Sequence, residues 1–347
     1  MGILQKLGRE LFATGPAGNH GVAAVRVAVS VAVPVLALLA IGHPELTLYA
    51  VFGGFTSMYG RCEPHFWRVV HQLEASVLLL SAVLIGTLLS EAHAPVGTLV
   101  LVEACFAYVG SMAADAAKLN PVGPFWALFA LGASASVAQP QPLWIPLLIG
   151  GAASAVSIIL SLAVWRFLPD ASPDMRRIRI ESPWRSSRIR RHALRYFLAV
   201  GIAGAAGLAS GWGHPYWAMA SAAVLLAAGS PRARLIRGVH RMLGTLVGIG
   251  LTALILWPQP PLMVLVLLIP VLQFPSELFM RHHFGTAQAF FTPVVLLVTL
   301  LASPAADPAR VLMDRALETL LGAAIGMAVA VLLRDRKPGG RPAVVAA

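Results

Sequence analysis

Seven ionisable side chains stand inside long apolar runs or just past their start: Arg26, Glu74, Glu103, Arg195, Asp314, Arg315 and Glu318. A charge in such surroundings is expensive, and where it persists it usually faces a bundle interior or a water-filled cavity. Arg26 and Arg195 each lie roughly one helical turn into their run. A pair of guanidinium groups at equal depth suits a carboxylate, bound through bidentate, charge-assisted hydrogen bonds. The alternative is that both snorkel to the head groups. Glu74 and Glu103 are carboxyl groups shielded from water, which suits proton carriage; hydrogen bonding to a neighbouring helix is the alternative. Asp314, Arg315 and Glu318 largely share a helix face, and Arg315 can pair with Glu318 across one turn. That set reads as a structural ion cluster or as an outer gate. Trp212, Tyr216 and Trp217 read as interfacial anchors, and Trp217 could alternatively stack an aromatic substrate. His43 and His214, each followed by proline, read as turn residues or as pH sensors.

No catalytic chemistry is legible beside these groups. The chain carries no phosphate-cradling glycine loop, nucleophile elbow or metal-ligand spacing, so no catalytic residue, metal or cofactor is expected. His282-His283 lacks carboxylate or thiol support, and Cys62 and Cys105 make no disulfide framework.

The elements that hold these residues must cross a membrane. Of 347 residues, 58% are hydrophobic and 12% charged, with a mean hydropathy of +0.76. A soluble domain carries about 25% charged residues. Twelve apolar runs are candidate spans, several of them short: 22–41, 46–60, 69–89, 95–114, 119–137, 143–168, 193–211, 215–230, 239–257, 261–280, 284–302 and 311–333; 46–60 has only 15 residues and 119–137 contains proline. With both termini cytoplasmic, the inside segments hold 23 of the 26 basic residues and the outside loops hold only Arg310. That asymmetry is the positive-inside pattern. The net charge of +11 therefore reads as topology and attraction to anionic lipid, not as nucleic-acid binding. The first run reads as an uncleaved helix. Arginine-heavy usage, 23 Arg to 3 Lys, suggests a GC-rich bacterium and hence the bacterial inner membrane.

The two halves echo one another. Gly42-His43-Pro44 recurs as Gly213-His214-Pro215. Arg26 and Arg195 precede these, and Arg68 to His71 and Arg237 to His240 follow them as Arg-x-x-His. Small-residue clusters at Gly150–Ser154 and Gly322–Gly326 close the series. An all-α protein of two parallel six-helix repeats is expected, related by a pseudo-two-fold axis along the membrane normal. Residues 1–168 form the first repeat, 169–192 a basic cytoplasmic linker and 193–347 the second repeat with a short tail. Gly207-x-x-x-Gly211, Gly244-x-x-x-Gly248 and Gly322-x-x-x-Gly326 read as helix-packing motifs.

The run Gly213-His-Pro-Tyr-Trp-Ala218, the basic turn, and His240-Arg-x-x-Gly244-Thr245-x-x-Gly248 resemble the fusaric acid resistance (FUSC-like) and aromatic acid exporter superfamily. The first half departs from it: Glu45-Leu46-Thr47 stands where Tyr-Trp-Ala would be, and Ala75-Ser76 replaces the Gly-Thr. The large cytoplasmic domain that many members carry after each unit is not expected here, the linker and a short tail standing in its place. The resemblance implies export of small organic anions, aromatic carboxylic acids among them, coupled to the proton gradient. A passive anion channel of the same architecture, or a non-transporting scaffold or lipid-binding protein, are the alternatives. Its partners would be the anion and anionic lipids; the state of association is open.

Overall fold

A computed structural model of the chain describes residues 21–61, 63–137, 140–164 and 186–333. These residues form twelve α-helices and no strand. In chain order they are α1 (Gly21–Ala40), α2 (Thr47–Gly54), α3 (His65–Glu91), α4 (Val96–Ala116), α5 (Phe125–Ala135) and α6 (Trp144–Ala163). Then follow α7 (Ser187–Ala209), α8 (Tyr216–Leu226), α9 (Pro231–Leu256), α10 (Leu262–Phe279), α11 (Phe284–Ala302) and α12 (Pro308–Leu332). Local chemistry sets several starts. The side chains of Ser186, Ser230 and Asp307 each accept a hydrogen bond from a first-turn amide, and Pro231 and Pro308 open their helices where a missing N–H costs nothing.

Nine of these helices are long and apolar enough to cross a membrane, and α2, α5 and α8 are not. An 11-residue helix rises about 17 Å, roughly half the hydrocarbon thickness. The run 46–60 is broken into two 3₁₀ turns, Pro44–Leu46 and Phe55–Met58, around the eight residues of α2. The run 119–137 shrinks to α5 because Pro121, Gly123 (φ +82°) and Pro124 keep the preceding backbone out of the helix. The expected linker begins outside the described residues, but its last residues already belong to α7: Ser187 to His192 are helical, not loop. The tail after Leu333 lies outside the described residues.

Every residue of α2 and α8 is buried, as are ten of the eleven in α5, and α11 is buried along most of its length. These four form the centre. The eight helices around them expose valine and leucine on their outward faces, including Val77, Leu101, Leu148, Val247, Leu254 and Val271. Such a surface suits lipid and not water.

Within residues 21–163, α3 packs on α5 and α6, α1 and α2 on α6, and α4 on α5; within 187–332, α9 packs on α11 and α12, α7 and α8 on α12, and α10 on α11. Between the two stretches α4 packs on α7, α10 on α1, α5 on α8 and α11 on α2. Close approach rests on glycines. A Cβ at Gly322 or Gly326 would strike the α8 backbone at Ala218 and Ala222, and one at Gly244 or Gly248 would strike α11. The third motif differs from expectation. Gly207 packs on Pro215, but Gly211 has open space beside it and φ +71°, so it turns the chain out of α7.

Candidate functional site

Three cavities lie in a row along the four central helices. The largest, about 200 Å³, meets Met58 just past α2, Phe125 and Trp126 on α5, Val224 on α8, and Phe284 and Gln288 on α11. The next, about 20 Å³, meets Phe52 and Phe55, then Phe129 and Ala133, Tyr216, and Phe291 through Thr299. The last, also about 20 Å³, meets Leu48, Ala133 and Ser136, His214 and Tyr216, and Thr299 to Ser303. Position along α5 and α11 rises steadily from the first cavity to the last. The same order runs backwards along α2 and α8, so one axis threads all three.

The large cavity is apolar below and cationic at its mouth. Arg61, Arg237 and Arg281 reach it, and among the described lining residues Glu277 is the carboxylate, with Asn120 and Gln288 beside them. Arg61 forms an ion pair with Glu277 and also donates to its backbone carbonyl at 3.4 Å. Gln273 Nε2 donates to Glu277 Oε1 at 3.3 Å. Arg237 lies over the Phe284 ring at 4.9 Å. One turn on, Arg241 is fully buried: it donates to Gln288 Oε1 and to Ser221 Oγ, and its guanidinium lies over Phe125 at 5.7 Å. A small anion with an aromatic or aliphatic body would find guanidinium donors above and ring surfaces below.

Aromatic rings close the axis beyond that cavity. Trp126 stands edge-on to Phe55 (4.9 Å) and Phe291 (5.1 Å), and Phe129 lies 5.7 Å from Phe52 and 6.4 Å from Phe291. The cavity between these rings and the far end has room for about one water and is almost wholly apolar.

At the far end the loop before α8 is tied to α12. The Gly213 amide donates to Asp314 Oδ2 (3.2 Å) and the His214 amide to Glu318 Oε1 (2.8 Å), while His214 Nδ1 meets Asp314 Oδ2 at 3.2 Å. Trp217 stacks on the His214 ring at 4.2 Å. Burial pushes the His214 imidazolium below its ordinary range, with Asp314 acting against that and Arg315 and Arg310 with it.

The expected site residues fall in several places. Arg26 and Arg195 are both buried, and neither lines any of these three cavities. Arg26 Nη2 donates to the Ser57 carbonyl (2.9 Å), and Arg195 Nε to that of Leu333 (2.9 Å). Each thus holds the end of a neighbouring segment. Nε and Nη1 of Arg26 have no hydrogen-bond partner. Trp217 and Tyr216 are not interfacial anchors: both are buried, because their short helix sits at the centre of the bundle. Arg315 and Glu318 make no hydrogen bond across one turn, although their charges act on one another. Glu318 turns to the His214 amide instead, and none of the three Arg315 nitrogens has a hydrogen-bond partner. Glu103 is fully buried against Gly132 and Tyr216, and neither of its oxygens has a partner. Glu74 is half-buried on α3 and lines none of the three cavities. Asp115 pairs with His192 at 2.7 Å, joining α4 to α7. Among the described residues no cluster of His, Cys, Asp or Glu could hold a metal.

Sequence reasoning counted Arg61, Arg237, Glu277 and Arg281 only as charges near turns, or passed over them. The available signal was Glu277, an acid four residues from Gln273 inside an apolar run, with Arg281 four residues further on.

Residues 201–329 match the family model described as fusaric acid resistance protein-like. The match takes in the end of α7, all of α8 to α11 and most of α12, and it contains the motifs that carried the resemblance. A stretch of 153 residues is 28% identical to the uncharacterized membrane protein YvaC of Bacillus subtilis. That stretch is 44% of this chain and 24% of the relative, so the chain matches about a quarter of that protein's length. No solved structure matches the chain. The chain is a multi-pass helical membrane protein.

Proposed function

We propose that this membrane protein carries small organic anions, aromatic carboxylates foremost, out of the cell along the axis of its four central helices. The supporting observation is the row of cavities with Arg61, Arg237 and Arg281 at one end and an aromatic closure in the middle. Guanidinium groups attract and orient a carboxylate, and the rings beneath them take up an apolar body. A closed barrier above an open, charged cavity is what a carrier needs in one of its two states, and it favours a carrier over a permanently open channel.

The basic end is taken as cytoplasmic, following the charge asymmetry, with anionic lipid gathered around it. The twofold recurrence of helix pairings, α4 on α7 with α10 on α1 and α5 on α8 with α11 on α2, supports two parallel six-helix units in one bundle. Three of the twelve would then be short central helices, not full spans. Glu103 is the group we assign to proton coupling. It is a buried carboxyl without a partner, behind Tyr216, which lines two of the cavities.

Reconstitution in liposomes tests the reading. Radiolabelled benzoate should move faster when a pH difference is imposed, and Glu103→Gln should remove that dependence while leaving benzoate exchange in place. Accumulation of benzoate that ignores the pH difference in the wild type would remove the coupling. Absence of flux for benzoate and for a panel of organic acids would remove the transport reading.

A further inference from the structure

We propose that Arg315 forms a second anion station, on the far side of the aromatic barrier, which is uncovered when Phe129 moves. The proposal rests on the transport reading above and says where the anion goes after leaving the large cavity. Arg315 is completely buried, and Nε, Nη1 and Nη2 all lack a hydrogen-bond partner. A guanidinium brings five N–H donors, and leaving them all unused in a dry interior is costly.

Neither carboxylate beside it on its own helix is hydrogen-bonded to it, although Glu318 is near enough for its charge to act on Arg315. Asp314 accepts from Gly213 and meets His214, and Glu318 accepts from the His214 amide. Two aromatic rings cover Arg315: its guanidinium carbon lies 5.1 Å from the Trp217 ring and 5.7 Å from that of Phe129. Phe129 is a wall of the cavity between the barrier and the far end. Trp217 stacks on His214, which lines the last cavity. Arg315 therefore sits between the closed barrier and the far opening, covered by a barrier ring. A carboxylate that replaced Phe129 over it would gain bidentate hydrogen bonds, and an aromatic body could lie against Trp217.

Arg26 also has unpartnered nitrogens, but it is committed to the Ser57 carbonyl, whereas no Arg315 nitrogen is committed and a ring of the cavity wall lies over it. The ligand class is a monocarboxylate with an aromatic ring, its carboxylate on Arg315 and its ring against Trp217.

The test uses the full chain, purified and reconstituted, with radiolabelled benzoate. Arg315→Gln leaves Glu318 buried beside a neutral group and can fail to fold, so Arg315→Gln with Glu318→Gln is measured beside it. The double variant should bind benzoate at the large cavity within about twofold of the wild type, while its initial flux falls by about tenfold or more, a loss of transition without loss of binding. Arg315→Lys, which keeps the charge without the planar fork, should restore part of that flux. A double variant with wild-type flux overturns the proposal and leaves the transport reading standing, Arg315 then being a structural charge. A wild type that neither binds nor moves benzoate or any of the acid panel overturns both. Arg237→Gln separates the two sites: it should weaken benzoate binding itself, which the Arg315 variants leave intact.

Discussion

Arg61, in the turn before α3, and Glu277, on α10, form an ion pair across the mouth of the large cavity, joining residues 216 positions apart in the chain. The pair ties one half of the bundle to the other at the place where an anion would arrive. Glu277 is buried, and its carboxylate occupies a guanidinium that an incoming carboxylate could otherwise use.

Glu277→Gln should therefore raise the apparent affinity for benzoate at the basic end, by about three- to tenfold if the competing charge is worth about a kcal/mol. Losing one partner of a buried pair also costs stability. The variant should melt lower than wild type without ligand and recover when benzoate is added. Unchanged or weakened affinity would show that Glu277 does not compete with the anion.

Arg26 secures the backbone at Ser57, within the 3₁₀ turn that carries Phe55 and Met58 to the axis. Arg26→Ala leaves the Ser57 carbonyl without that donor in a buried place, which costs about 1–3 kcal/mol. It should lower the melting temperature and raise passive leak of benzoate, with the affinity of the cavity unchanged. Arg26→Lys can still donate to the carbonyl and should restore most of both. A lost affinity with full stability would instead return Arg26 to the role of substrate ligand expected from the sequence.

His214 makes the far end sensitive to acid. Burial is the largest cause that holds its imidazolium below the ordinary value of 6.5; the Asp314 hydrogen bond and charge oppose it, Arg315 and Arg310 reinforce it, and Glu318 holds the same residue by its amide. The closed end thus binds the neutral ring. The stability this gives is present in full above about pH 6.5 and is lost as pH falls from there toward the depressed value. A cysteine placed at Ser303, in the last cavity, should react faster with a maleimide at pH 5.5 than the reagent's own pH dependence allows. His214→Gln should flatten that difference.

Phe291 lies against Phe55, Trp126 and Phe129, at the meeting point of the barrier rings. Phe291→Ala removes a fully buried ring, at a cost of about 3–5 kcal/mol. The barrier should then leak, so that benzoate gradients built by the wild type collapse in vesicles holding the variant. A variant that is destabilised yet still holds a gradient would place the closure elsewhere along the axis.

The sequence by itself determined the order of the elements. Its apolar runs sit where the twelve helices form, and its glycine repeats at Gly244–Gly248 and Gly322–Gly326 lie where helices α9 and α12 approach their neighbours. These are local properties: hydropathy decides which stretches enter the bilayer, and the absence of a Cβ decides where backbones can meet. Only the tertiary structure decided which arginines face the axis. Arg237 and Arg241 stand one turn apart on α9, yet one lines the cavity and the other turns to Ser221 and Gln288. Arg26 and Arg195, the two that sequence position favoured, hydrogen-bond to carbonyls at the ends of segments 31 and 138 residues away. Which way a charged side chain points depends on the rotation of its helix and on the backbone that packs beside it. Both are fixed by contacts between residues distant in the chain, and no window of the sequence contains them.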